Sequence, residues 1–513
     1  MNKAVGYTAF IIFFLLFFLP GCATVKAPPS PSQLAARKAK SNAKLEARAF
    51  AQSIAEEKKA EKKTVKKKKK IADPVWASIR KQKVDPSKFL SLTQLIDMAL
   101  RNNPQTRQAW KNTAVARAIE KQAESKLYPA LTISEKITRE KGISNTGVKD
   151  NDYYFGPSAQ LTYLLLDFGG RSAGIEETLQ KVLQADSQYN QSIQDLLLNV
   201  EKSYYSLYSA QSAEEAAQLD TENAKADYDL AQKKYEVGLV AKLDVLQAKS
   251  NYEDSLYTLE DAKGKVKSAK AELAQVIGVA ADTMFDIAVP AKELPTNINE
   301  EDVTALIEEA MGKRPDIQAY RADLQSKKAA LKAATSDLLP KLNLGATAGQ
   351  DQYHYYGASQ ANSSAHDYTG YASVDWDIFD GFYNLNKRKQ AKGELDIAYE
   401  ALIQAELAAS ADVWVNYYDY NTAVRKLEFS RAFFDTAETS YDLALESYNA
   451  GLKSILDLLS AQSKLSDARS KFIQSREDVF VAIAQMAHAT GSSNVSSQSL
   501  KSGQMPRGMD KND

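Results

Sequence analysis

Ionisable side chains cluster around two glycine turns in this chain of 513 residues. Residues 235–250 align without gaps on residues 448–463, with eight of sixteen positions identical, and Asp244 of the first run matches Asp457 of the second. Each carboxylate lies six residues past its turn glycine, Gly238 or Gly451, where a returning helix starts. A carboxylate there caps amide groups or pairs with the helix dipole. Catalytic chemistry finds little elsewhere. His354 and His366 lie in a tyrosine-rich loop and His488 near a helix end, so no pair has helical metal-ligand spacing. There is no phosphate-cradling glycine loop and no nucleophile elbow. The sequence therefore predicts no enzyme, no cofactor and no resident metal.

Cys22 is the only cysteine, which rules out an internal disulfide. It follows Leu19-Pro20-Gly21 at the end of the apolar run Ala9 to Leu19, itself preceded by Lys3. A weakly basic start and an apolar stretch too short to span comfortably predict a secretory signal over 1–22, and hence export. Leu19, Gly21 and Cys22 fit a bacterial lipobox, in which the thiol takes a diacylglycerol and becomes the new N-terminus. Pro20 stands where Ala or Ser is usual, and the alternative is an ordinary signal peptide with an incidental cysteine. Net charge is zero, yet residues 1–90 hold 20 Lys+Arg against 6 Asp+Glu. Most of that excess lies between Arg37 and Lys70, a solvated basic tether within 23–90. The other reading is an arm that rests on anionic envelope polymer or lipid head groups.

The elements that must position the turns recur as well. Asn103-Pro104 returns as Arg314-Pro315, Tyr128-Pro129 as Leu339-Pro340, Gly169 as Gly381 and Gly278 as Gly491, all at offsets of 211 to 213. The chain is thus a duplication, with units at 91–278 and 301–491, a linker at 279–300 and a polar tail at 492–513. Each unit opens with a helical segment, about 91–127 and 301–338, with Ser91 or Thr93 as a start cap. Alternating strands follow, such as Leu131, Ile133 and Ile137 in the first unit and Ala372, Val374, Trp376 and Ile378 in the second. Polar loops at about 140–153 and 350–367 separate the strands of each pair. Strands of about ten residues with one apolar and one wet face suit a membrane barrel; a soluble hairpin would share the pattern.

Proline-free helices then run from about Gly170 to Tyr235 and from Phe382 to Tyr448, each roughly 100 Å if continuous. Return helices carry strict seven-residue spacing: Val245, Tyr252, Leu259, Val266 and Leu273, and then Leu458, Leu465, Phe472, Val479 and Met486. Such heptads imply supercoiling against neighbouring helices. The remaining Ala, Ser, Gln, Lys and Asp are too small and polar for a thick core, which fits a thin wall wet on both sides. A soluble coiled-coil rod would use the same heptads, but it leaves the two interrupting strand pairs unexplained.

Ordered and duplicated in this way, Ser91 to Pro104, the Tyr128-Pro129 strand entry, Leu166-Asp-Phe-Gly-Gly-Arg171 with Ile378-Phe-Asp-Gly381, and both Tyr-x-x-Gly-Leu turns resemble the outer-membrane efflux proteins, the TolC-like channels, from about Leu90 to Gly491. The resemblance implies a mainly α chain with membrane β-barrel strands. Three copies would form one twelve-stranded barrel over a long α-helical barrel, each copy with two tandem repeats. It also implies that Val237, Gly238, Leu239 and Val240, with Gly451 and Leu452, form the tip that meets a periplasmic membrane-fusion adaptor. Asp457 falls where a ring of carboxylates narrows the pore, a charge ring like those of other selective pores. Asp244, Tyr448 and Lys453 fall where the closed gate is held. Lys453 replaces the arginine of the best-known member, a point charge in place of a fork, and Ser460 stands in place of a second carboxylate.

The function so implied is a passive outer-membrane exit duct for substrates delivered by an inner-membrane pump, lipid-anchored and largely periplasmic. The alternatives are the exit duct of type I protein secretion, beside an ABC exporter, and a lipid-anchored coiled-coil scaffold without a pore. The expected partners are two further copies of the chain, the adaptor, the pump or exporter and outer-membrane lipid; nucleic acid is not among them.

Overall fold

The computed structural model describes residues 89–143, 149–290, 302–355 and 363–492. By its internal contacts the chain divides at Ser78, and all described residues lie in the unit Ile79–Asp513. The signal segment, Cys22, nearly all of the basic tether, residues 291–300 of the linker and all but Ser492 of the tail are outside the described residues.

The first copy contains β1 (Phe89–Leu90), α1 (Leu92–Asn102), α2 (Pro104–Glu124), β2 (Ala130–Ile143), β3 (Lys149–Leu166), α3 (Gly170–Glu236), α4 (Lys242–Val276) and β4 (Asp286–Ile287). The second contains α5 (Val303–Lys313), α6 (Pro315–Ser336), β5 (Lys341–Tyr355), β6 (Ser363–Asp375), α7 (Tyr383–Asn449) and α8 (Ile455–Ala489). Ser91 caps α1 in a reciprocal box with Gln94.

The opening helical segment of each copy is two helices, not one. Asn103 and Arg314 take extended backbone (ψ 125° at both) because a following proline disfavours the helical conformation, while Pro104 and Pro315 start the next helix. Each bend seats on the end of a return helix. Asn103 Nδ2 donates to the carbonyl of Val276 at 3.0 Å while its Oδ1 caps Gln105 N at 2.8 Å. Buried Arg314 donates to Ala489 O at 3.2 Å and pairs with Asp316 and Asp412. Contact is close enough that a Cβ on Gly278 would come within 2.8 Å of the Asn102 carbonyl carbon.

The four long strands form one antiparallel sheet in the order β2-β3-β5-β6. They are longer than the alternation predicts, 14, 18, 15 and 13 residues. Pairing runs out to Ile143↔Lys149 and Tyr353↔Ser363, so most of each polar stretch read as loop is strand. Ladder hydrogen bonds continue where the side chains turn polar, and side-chain alternation cannot report that. At the other end β6 stops at Asp375, leaving Trp376 and Ile378 beyond the strand; Trp376 Nε1 instead donates to Leu338 O at 3.1 Å.

Helix order repeats strand order. α2 packs on α3, α3 on α6 and α6 on α7, so each strand continues into a helix of the same rank. The seams are partly polar, with Arg117–Asp186 at 3.1 Å, Arg321–Glu406 at 3.1 Å and Lys327–Glu394 at 3.0 Å, as expected where both faces meet water. α3 and α7 each contain 67 residues, about 100 Å of helix, and α4 and α8 fold back along them with 35 each. All ten heptad positions are buried or half-buried. The first bend is anchored on a compact core of Leu95, Ala99, Val200, Leu207, Leu273 and Ile277, with Tyr205 and Phe480 stacked at 4.5 Å, and the second on Leu306, Ala310, Val413 and Ala489.

Asn103→Ala removes both a cap and the tie to Val276. It is expected to cost about 1–2 kcal/mol and to lower the thermal midpoint followed by circular dichroism. An unchanged midpoint would show that the bend does not depend on this side chain.

Candidate functional site at the helical turns

Both hairpin turns begin with the same local chemistry. Gly238 and Gly451 adopt φ of 77° and 76°, conformations that L side chains rarely take. This lets Leu239 N reach Lys234 O and Leu452 N reach Ser447 O, both at 2.9 Å or less, closing the helix ends. The return helices then start on their third-position carboxylates. Asp244 Oδ2 accepts from Ala241 N at 3.1 Å, and Asp457 Oδ2 accepts from Ser454 N at 3.0 Å and Ser454 Oγ at 2.8 Å. The Ser454 hydroxyl and amide, with Lys453 nearby, hold the Asp457 carboxyl below the usual carboxylate range. Capping is therefore what both aspartates do within one chain.

Apolar side chains cover the outside of the turns. Leu239 and Leu452 are 73% and 79% exposed, Val237 is exposed and Val240 half-buried, with open space around both turn glycines. Lys453 is exposed and makes no ion pair within 4 Å among the described residues. Tyr448 is 2% exposed, whereas its repeat counterpart Tyr235 is 44% exposed. Burial raises the pKa of Tyr448, with the carboxylates of Asp244 and Asp227 adding to it, and its hydroxyl has no hydrogen-bond partner among the described residues. Asp244 and Tyr448 are thus near neighbours without a direct bond.

A polar layer that sequence reasoning missed lies above the turns, where α3 meets α7 and α8. Asp227 is 1% exposed. It accepts from Tyr441 Oη at 3.4 Å and, in the amide orientation that satisfies both ends of Gln462, from that side chain at 3.2 Å. Asp220 pairs with Arg469, and burial raises the Asp220 carboxyl despite that guanidinium. A cleft of about 350 Å³ opens here, lined by Asp227, Glu438, Tyr441, Asp442 and Arg469. The sequence trace is a mismatch between the copies, since at the offset of 213 Asp227, Gln462 and Arg469 stand against Ser440, Lys249 and Leu256, and it does not say which face is covered.

The sequence of each copy that builds these hairpins is matched by one family. The sequence model for "Outer membrane efflux protein" fits residues 95–279 and again 306–492. The chain belongs to the outer membrane efflux protein family. It is therefore an outer-membrane protein. The efflux-protein likeness extends to individual relatives. Protein CyaE of Bordetella pertussis is 28% identical over 391 residues, 75% of this chain and 80% of that one. Outer membrane protein TolC of Salmonella enteritidis is 24% identical over 412 residues, 79% of this chain and 82% of that one. Among solved structures, the outer-membrane channel OprN superposes with a TM-score of 0.70 at 22% identity, covering 82% of this chain and 95% of that one. The fold of this efflux protein is thus that of outer-membrane channels.

Burial pushes the Asp227 carboxyl up to about 6, against an ordinary 3.8. A raised carboxyl binds its proton more tightly in the packed state, so packing of α3 on α7 and α8 is strongest at low pH and weakens as pH rises from about 4 through about 6. Asp227→Asn is expected to raise the melting temperature at pH 7.5, by the equivalent of roughly 2 kcal/mol, and to change it little at pH 4. A mutant-to-wild-type difference that is flat across this range would refute the assignment.

Proposed function

We propose that this protein is the exit duct of a tripartite efflux system, passively conducting substrates from an inner-membrane pump through the periplasm and outer membrane. The observation that carries this reading is the continuity of an open-edged sheet of four strands with two helical hairpins of about 100 Å. Strands β2 and β6 each pair on one side only within the chain. Three copies joined edge to edge give twelve strands and remove every free edge, as a barrel in hydrocarbon requires. Leu131, Ile133 and Ile137 on β2 and Val374 on β6 are exposed and meet lipid. Where strands pass into helices, Tyr128, Phe168, Trp376, Phe379, Phe382 and Tyr383 are exposed, the composition of a membrane-interface belt. Phe168 and Phe382 hold left-handed backbone there, with φ of 53° and 69°.

The chain then divides as a signal segment to Cys22, which is the lipid anchor, a basic tether over 23–90, two structural repeats over 91–278 and 301–491 joined by 279–300, and a tail over 492–513. Val237, Gly238, Leu239, Val240, Gly451 and Leu452 form the tip that docks a membrane-fusion adaptor; the exposed leucines and valine supply its apolar contact. Asp457, Asp244, Tyr448 and Lys453 form the gate. Three copies of Asp457 around the axis make a ring of like charges that attracts cations, and the hydrogen bonds capping each one keep it ionised. The reading involves no catalytic step.

In planar bilayers the trimer is expected to conduct weakly, with Asp457→Ala and Lys453→Ala each raising leak conductance several-fold. Unchanged conductance in both variants would remove the gate assignment. A wild-type protein that neither conducts nor resists heat as a trimer would favour the scaffold.

A further inference from the structure

We propose that Lys234 is a positioning residue of the gate, fastening the foot of the second hairpin to the first. The proposal rests on the gate reading above for its consequence in conductance, though not for the clasp itself.

Lys234 sits half-buried in the last turn of α3. Its ammonium makes three attractions at once, all to the end of α7. It donates to the carbonyl of Tyr448, donates to the carbonyl of Asn449 at 3.3 Å, and stands 4.2 Å from the centroid of the Tyr448 ring. Carbonyls at a helix C-terminus carry the negative end of the dipole and attract cations, and a cation over a tyrosine face adds a second, independent attraction. Tyr448 is buried, and its hydroxyl has no hydrogen-bond partner among the described residues. Its place is therefore set by the ring and backbone, the two features that Lys234 holds.

The clasp works in one direction only. At the repeat offset of 213, Lys234 corresponds to Ser447, which has no cation to return, and Tyr235 lies exposed where Tyr448 is covered. A contact needed only to end a helix would serve both copies; this one binds the second hairpin alone. Asn449 precedes Lys453 by four residues and Asp457 by eight, with only the closed turn between. Movement of the α7 end therefore carries both gate side chains with it. Asp227 and Asp244, the carboxylates that act on Tyr448, lie on the first hairpin as well. The foot of the second hairpin is thus held between fixed charges and the Lys234 ammonium.

The test compares full-length Lys234→Met with wild type, as trimers in detergent, by hydrogen-exchange mass spectrometry and by bilayer conductance. Exchange over residues 445–457 is expected to quicken about tenfold, the equivalent of a cation–π contact together with a helix-end interaction. Peptides over 95–110 should not change, which confirms an intact fold. Lys234→Arg, which keeps the cation, should restore most of the protection. Unchanged exchange over 445–457 in Lys234→Met overturns the clasp whatever the conductance. Faster exchange with unchanged conductance keeps the clasp and removes the gate reading. If Lys234→Met yields no trimer, Tyr448→Leu, which removes the ring and keeps apolar bulk, is measured the same way, and unchanged exchange there overturns the proposal equally.

Discussion

Backbone amides surrounded by hydrocarbon must all find partners, and a sheet of four strands with two open edges cannot satisfy that requirement alone. Much of the architecture follows from this constraint. The edges must be closed by further copies, so the strands of one chain have to be ordered for joining end to end. Helix order then copies strand order, because each strand runs directly into a helix and neighbours above remain neighbours below. The duplicated sequence is the economical way to make such a wall, with each repeat adding two strands and one long hairpin.

A wall one helix thick has no room for a deep core, and the packing reflects it. Alanine fills much of the buried surface, with Ala231, Ala248, Ala437, Ala461 and Ala468 close to the turns. Larger side chains concentrate at the proline bends, where Asn103 and Arg314 tie the start of one helix to the end of another. Nearer the turns polar pairs such as Asp227 with Tyr441 sit beside a smaller apolar cluster of Tyr448, Ile455, Leu458 and Leu465. Duplication would make the two hairpins equivalent, but a few side chains break that equivalence. Ala241 against Ser454 and Tyr235 against Tyr448 give the second hairpin the fuller cap and the covered tyrosine.

Much of this was legible in the sequence because it rests on local chemistry. The long helices end within a residue or two of the expected positions, set by the glycines of the turns, and the heptad residues face inward in both copies. The bends before Pro104 and Pro315 are visible as landmarks, but the helical spacing of apolar residues does not show the break there. Strand length was underestimated because backbone pairing outlasts the apolar alternation, as at Glu140↔Asp152. Asp227 and Lys234 are illegible in the sequence for a different reason. On a long helix with mixed composition all round, which face is covered depends on the partner helix, and a charged residue carries no mark of being on that face.

The unbroken length of α3 and α7 gives them a mechanical character as well as a spanning one. Neither helix contains a proline; each is joined to the sheet at its upper end and packed against a bend near its middle. Below the bend such a helix is a lever with its fulcrum at the bend. A tilt of roughly 5° there carries the far end through roughly 5 Å, given about 50 Å of helix below it. Leverage of this kind would turn a small rearrangement at the bend into a wider aperture at the foot. Conversely, a weak grip at the foot can oppose a much stronger force applied close to the pivot.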